Sequence, residues 1–317
     1  MTIGVHLQEL HGLPAFDFPG VDAEAGGLPD PASVAWRIGV EAYESDESWE
    51  DAFARFTASV DTSKVRALIV GAWSDVYDSG PDEVVSALLA ARDRLPELRA
   101  LFVGDITFEE CEISWIHQGD VTPLLDGFPE LEEFGVRGGM GLVFGAARHR
   151  RLRTLVIESG GLPVEVVRGV AACELPSLEN LDLWLGTSGY GGDAELSDLQ
   201  PFLAGTRLPA LRCLALRNSE IQDEIAAALA AAPVVARLEV LDLSMGTLGD
   251  QGAAALLEGQ PLTHLRKLDL HHHFVSGPMA ERIRNSLEPS GVSVDLGDVQ
   301  EPWDDDEDGG RFTAVAE

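Results

Sequence analysis

Leu238-Glu-Val-Leu241-Asp-Leu243 and Leu265-Arg-Lys-Leu268-Asp-Leu270 carry one pattern, Leu-x-x-Leu-x-Leu, 27 residues apart. Working outward, the pattern returns as Leu211-x-x-Leu214-x-Leu216 and Leu178-x-x-Leu181-x-Leu183. With aliphatic or aromatic replacements it continues to Leu152-x-x-Leu155-x-Ile157, Leu131-x-x-Phe134-x-Val136, Leu98-x-x-Leu101-x-Val103 and Val65-x-x-Leu68-x-Val70. The middle anchors fall at 68, 101, 134, 155, 181, 214, 241 and 268, so the steps are 33, 33, 21, 26, 33, 27 and 27. The last two anchors of each segment alternate with period two, which is the spacing of a short strand with one face buried. Steps of 26–27 leave room for a helix between strands, and the 21-residue step does not.

Between the strand segments the spacing turns helical. Pro81-Asp-Glu-Val-Val-Ser-Ala-Leu-Leu-Ala-Ala-Arg92 opens on a proline suited to a first helical turn. Asp223–Ala232 is alanine-rich, and Asp250–Glu258 and Pro278–Leu287 follow the same plan. Strands alternating with helices predict an α/β fold with a parallel sheet. Each unit alone exposes an apolar face, which stacking of neighbours buries.

Leu214-Ala-Leu-Arg-Asn218-Ser-Glu-Ile221-Gln-Asp223-Glu-Ile-Ala226-Ala-Ala-Leu229 resembles one unit of the ribonuclease-inhibitor class of leucine-rich repeats. Leu241–Leu256 is similar, with Met245 where the class has asparagine. The resemblance covers about residues 60–296 and implies a solenoid, or horseshoe, with a parallel concave sheet and convex helices or irregular turns. It also implies that Asn218 bonds backbone groups of the turn after its strand. The class is functionally mixed, so it supplies no activity. The whole chain is also similar to a bacterial leucine-rich-repeat family of unassigned function. That likeness rests on His11-Gly-Leu-Pro-x-Phe16-Asp-Phe18-Pro19 and Gly310-Arg-Phe-Thr-Ala-Val315. It implies an accessory role in a bacterial tailoring pathway, beside radical-SAM and hydrolase-type proteins.

Composition limits the function classes. The 317 residues hold 22 basic and 54 acidic side chains, a net charge of −32. Such a surface repels phosphate backbones and anionic membranes, so neither nucleic acid nor membrane is expected as a partner. It keeps the chain soluble, and it favours a basic protein or peptide as partner. No run of 18 apolar residues occurs, and the first residues lack the basic-then-apolar order of a secretory signal. Cys111, Cys173 and Cys213 are odd in number and have no Cys-x-x-Cys spacing, which fits free thiols in a reducing compartment. A cytoplasmic protein is expected.

Solenoid ends need covers. Residues 1–60 are read as an N-terminal arm and cap, with a strand at about 34–40 and a helix at about 48–58. Trp49, Phe53 and Phe56 stand at i, i+4 and i+7 on one helix face. Residues 61–296 form the repeat body, with Val292–Leu296 as a last strand. Residues 297–317 form an acidic tail whose run Asp304–Asp308 is expected to be solvated. Arg311–Ala316 reads equally as a returning strand or a loose end.

Side chains flanking the buried anchors point out of the sheet. In the N-terminal half these are small or apolar, including Ile69, Phe102 and Gly135. In the C-terminal half they are polar. Trp184, Arg217, Asp182, Asp242, Asp269 and His271 are the predicted binding patch, because aromatic and arginine side chains dominate interface energetics. The competing reading is a solvated sheet face. His271 and His273 are expected on the same side of an extended strand as Asp269, and with Asp242 they form the alternative, a metal-dependent enzyme. That site wants a further ligand, so no resident metal or cofactor is expected. The chain lacks the Gly-x-Ser-x-Gly, phosphate-loop and His-Glu-x-x-His motifs. Gly138–Gly141 and Ser188–Gly192 read as turns. The expectation is a non-catalytic protein- or peptide-binding scaffold.

Overall fold

A computed structural model describes residues 3–21, 27–43, 45–303 and 310–316. The chain forms two compact units, Thr2–Glu158 with Ala172–Leu175, and Ser159–Ala171 with Pro176–Ala316. Each is α/β with a mostly parallel sheet.

In the N-terminal unit β1 (Glu9–Leu10) pairs antiparallel with β2 (Leu13–Asp17). Strands β3 (Ala35–Ile38), β4 (Ala67–Val70), β5 (Ala100–Val103), β6 (Glu133–Arg137) and β7 (Thr154–Glu158) then add in chain order, all parallel. The register puts Leu68, Leu101, Phe134 and Leu155 side by side, all fully buried. Helices α1 (Trp49–Ser59), α2 (Asp82–Ala90) and α3 (Thr122–Gly127) fill the connections. The 21-residue step between β6 and β7 has no helix, and Leu142, Phe144 and Ala147 supply its buried surface.

The aromatic face of α1 is the cover at this end. Trp49, Phe53 and Phe56 are buried, and Phe56 and Phe18 both lie against Trp36. The two buried indoles keep their hydrogen bonds, Trp49 Nε1 to the Ile38 carbonyl at 2.9 Å and Trp36 Nε1 to the Pro31 carbonyl at 3.1 Å. Ser48 caps α1 by accepting from the Asp51 backbone N–H.

The other face of this sheet departs from expectation. Ile69 and Phe102 point out of the sheet as read, yet both are buried. Leu7, Leu10, Leu13 and Ala15 pack over them and over Ala35, Ala67 and Ala100. The chain's own arm covers a surface that is apolar and would be costly to leave in water. Gly135 belongs to this layer. A Cβ there would stand 2.3 Å from the Phe102 ring, so glycine is what lets that ring lie over β6.

Below the arm sits a buried charge network. Asp105 is wholly inaccessible to solvent and accepts from Arg37 Nε at 2.7 Å, Arg137 Nη1 at 3.2 Å and the Leu7 backbone N–H at 3.1 Å. Arg137 continues to Glu158 at 2.7 Å, and Arg37 to Asp17 at 2.7 Å and the Leu7 carbonyl. Burial alone raises a carboxyl pKa, but here His6, Arg137, Arg37 and the Leu7 N–H together hold Asp105 below its ordinary value.

In the C-terminal unit β8 (Asn180–Gly186), β9 (Cys213–Ser219), β10 (Val240–Asp242), β11 (Lys267–Asp269) and β12 (Ser293–Asp295) run parallel in chain order. Leu181, Leu214, Leu241 and Leu268 form the buried row. Helices α4 (Val164–Ala172), α5 (Leu196–Leu203), α6 (Gln222–Leu229), α7 (Asp250–Glu258) and α8 (Gly277–Leu287) turn Val167, Leu199, Ile225, Leu256 and Ile283 onto it.

A left-handed residue stands near the end of β9, Asn218, and in the turns after β10 and β11, Met245 and His272, with φ of 54°, 68° and 55°. The C-terminal segment crosses these turns. His272 Nε2 meets the Phe312 carbonyl at 3.1 Å, Ala314 N–H donates to the Met245 carbonyl at 2.8 Å, and Val315 N–H donates to Asn218 Oδ1 at 3.0 Å. Thr313–Val315 are buried, so this part of the tail is neither a strand nor loose. Asn218 also donates to the carbonyls of Val315 and Ser159, not to its own turn as the resemblance to the ribonuclease-inhibitor class implies. The segment supplies the acceptor. The acidic run Asp304–Asp308 lies outside the described residues. Among the described residues no helix is long and apolar enough to cross a membrane.

Candidate functional site

On the sheet face of the C-terminal unit that turns away from the helices, Asp182, Arg217, Asp242 and His271 keep part of their surface accessible among the described residues, unlike Ile69 and Phe102 on β4 and β5. Strand alternation fixes what this face carries. Next to each buried leucine, the register aligns Asp182, Ala215, Asp242, Asp269 and Asp295 across β8 to β12. Two residues further stand Trp184 and Arg217, which are paired in register, then Ser244 and His271.

All six predicted patch residues lie on this face. Arg217 is their hub. Its guanidinium sits 4.9 Å from the Trp184 ring centre, 3.2 Å from Asp242 and 3.6 Å from Asp182. The stack and the two carboxylates hold the planar group in one orientation. Trp184 and Asp269 are less accessible than expected, at 7% and 5% of their full exposure. Asp182, Arg217, Asp242 and His271 are half-buried.

A second group forms beside it. Asp269 receives Lys267 Nζ at 2.7 Å and His271 Nδ1 at 2.7 Å. Burial opposes the Asp269 charge, yet the bonds from His271 and Lys267 hold its pKa well below the ordinary carboxylate range. His271 moves the other way. The hydrogen bond to Asp269 raises it, as does the Asp242 charge on β10, against burial and the Arg217 charge on β9. A raised histidine stabilises the fold below its unfolded value near 6.5 and loses that contribution as pH rises through the folded value. A depressed aspartate stabilises above its unfolded value near 3.8 and loses it as pH falls through the folded value. The pair is therefore strongest between those two unfolded values. The His271 ring proton should titrate by NMR with a midpoint above 6.5, and Asp269→Asn should bring the midpoint down; a wild-type midpoint at or below 6.5 would refute the pairing.

A crystal structure of a protein from Bacteroides fragilis, a structural-genomics target, is similar to this chain. The TM-score is 0.77 at 28% identity, over 86% of this chain and 74% of that one. It shares the α/β architecture with its mostly parallel sheet. No family model matches the chain, and no curated protein does.

The histidine run is corrected by the structure. β11 ends at Asp269, and the left-handed turn at His272 sends His273 to the other side. His273 is fully buried, with its ring against the Leu296 carbonyl at 3.4 Å and accepting from the Val275 N–H at 3.0 Å. Burial lowers its pKa. It does not share a face with His271. Asp242 is taken by Arg217 and by the Ser244 N–H, so it is not the free acid the metal alternative wants.

Sequence reasoning passed over Asp295. The signal was present, since Val294-Asp295-Leu296 repeats the Leu-Asp-Leu pattern of β10 and β11. The thiols offer little nucleophilicity. Burial raises Cys173 and Cys213 and pushes Cys111 up to about 11, so all three stay protonated at neutral pH.

Proposed function

We propose that the chain is a leucine-rich-repeat solenoid acting as a non-catalytic scaffold, which grips a protein or peptide on the concave face of β8 to β12. The observation that carries this reading is the Trp184–Arg217 stack held between Asp182 and Asp242. A fixed aromatic–arginine pair on a partly accessible strand face is the composition of an interface hot spot. Trp184 Nε1 and Arg217 Nε are buried and have no hydrogen-bond partner among the described residues, a need that a bound chain meets only after the side chains shift outward.

The partner is basic. Four aspartates, Asp182, Asp242, Asp269 and Asp295, outnumber Arg217 and Lys267 on this face, and the whole chain carries −32. The three free cysteines fit a cytoplasmic protein. The likeness at His11–Pro19 and Gly310–Val315 points to a client in a bacterial tailoring pathway.

Affinity capture with untagged wild-type protein, Trp184→Ala and Arg217→Ala tests the patch. A partner retained by wild type should be lost from both variants, at a cost of about 2 kcal/mol or roughly thirtyfold in affinity. If both variants hold every partner at wild-type strength, this face is not the interface.

A further inference from the structure

We propose that Asp269, His271 and Asp295 form a binding site for one first-row divalent metal ion. The proposal stands apart from what the face grips. It rests on two observations. The first is the donor set. One ligand atom from each of these three side chains lies within 4.8 Å of the other two. Around an ion with nitrogen and oxygen ligands at about 2.0–2.2 Å, donors lie up to roughly 4 Å apart. A small side-chain rotation closes the difference. The expected lack of a metal followed from a missing ligand, and Asp295 supplies it.

The second observation is the charge ladder. Asp242, Asp269 and Asp295 stand directly opposite one another on three adjacent strands. Like charges in register on neighbouring strands repel, and a cation among them offsets this. Arg217 serves the Asp242 end. At the other end Asp269 is shared by Lys267 and His271, while Asp295 has its backbone turn bond from Gly297 N–H. Lys267 is an ammonium on a flexible stem with its side chain 44% exposed, so it can leave without unfolding anything.

Binding is then an exchange. The ion takes the place of the proton between His271 Nδ1 and Asp269 Oδ1, now 2.7 Å apart. That proton goes to solvent from an imidazolium, or to Nε2 from a neutral ring, so that His271 binds as the neutral imidazole; the Lys267 ammonium swings off Asp269 Oδ2, and Asp295 closes the third position. One imidazole with two carboxylates suits Mn²⁺, Fe²⁺, Co²⁺ or Zn²⁺ better than a thiol-seeking ion. Three protein ligands leave positions open to water.

The test is Co²⁺ titration of untagged, chelator-treated full chain at pH 7.5, followed by visible absorption, with Zn²⁺ competition by calorimetry. One equivalent should bind. His271→Gln and Asp295→Asn should each weaken it at least about tenfold. Lys267→Met should strengthen it several-fold, because it removes the competing cation. Replacing Asp304, Asp305 and Asp306 with asparagine should leave it unchanged. The proposal is overturned if no stoichiometric site exists, if His271→Gln and Asp295→Asn bind as wild type does, or if Lys267→Met binds no more tightly.

Discussion

Asp105→Ala should cost the N-terminal unit about 3–5 kcal/mol, the range for breaking a buried ion pair. The reason is what the substitution leaves behind. Arg37 and Arg137 are both almost fully buried, and each aims a nitrogen at Asp105. Their other acids, Asp17 and Glu158, remain, but two positive groups would then face an empty space, each with one of its three hydrogen bonds gone. The Leu7 N–H would lose both carboxylate oxygens as well. That second loss loosens the arm, since Leu7 and Leu10 cover Ile69 and Phe102. Urea unfolding of the variant should therefore shift far below wild type. Hydrogen exchange at residues 7–15 should speed up more than at β6 and β7. Asp105→Asn keeps the shape and one acceptor, so it should fall between. A loss under about 1 kcal/mol for Asp105→Ala would mean that the network adds nothing the two remaining acids cannot replace.

The strand positions were readable because each is written locally. Leu-x-x-Leu-x-Leu places the buried row and, by alternation, the outward row, so the patch residues could be assigned from four-residue windows. What failed was everything decided by distant partners. Ile69 and Phe102 look like an open apolar face until Leu7 and Leu10, some sixty to ninety positions earlier, lie on them. Asn218 looks like a turn residue until Val315, 97 positions later, takes its amide. His273 looks like a neighbour of His271 until one left-handed residue intervenes. Few residues other than glycine adopt positive φ, and nothing in a run of three histidines marks the middle one as the residue that does. The accessibility of Trp184 was also misjudged, because parity gives direction and not depth.

Leu214→Asp should abolish cooperative folding of the C-terminal unit, and Cys213→Ser, one residue away, should change its stability by under about 1 kcal/mol. Leu214 is essentially inaccessible to solvent, in register between Leu181 on β8 and Leu241 on β10. Removing its side chain to alanine would already cost about 2–5 kcal/mol. Aspartate adds a carboxylate with no cation in the leucine row, which either stays charged at several kcal/mol or takes up a proton. Domains are stable by only about 5–15 kcal/mol, so the sum reaches the whole margin. Cys213 sits on the opposite side of the same strand and is half-exposed, so a hydroxyl there finds water. The contrast between adjacent positions is the point of the pair: loss of packing anywhere in the unit would lower one midpoint, whereas alternation of faces separates the two. Thermal unfolding followed by circular dichroism distinguishes them, and a Leu214→Asp protein that melts cooperatively at the wild-type temperature would show that this leucine row is not the core on which the patch is built.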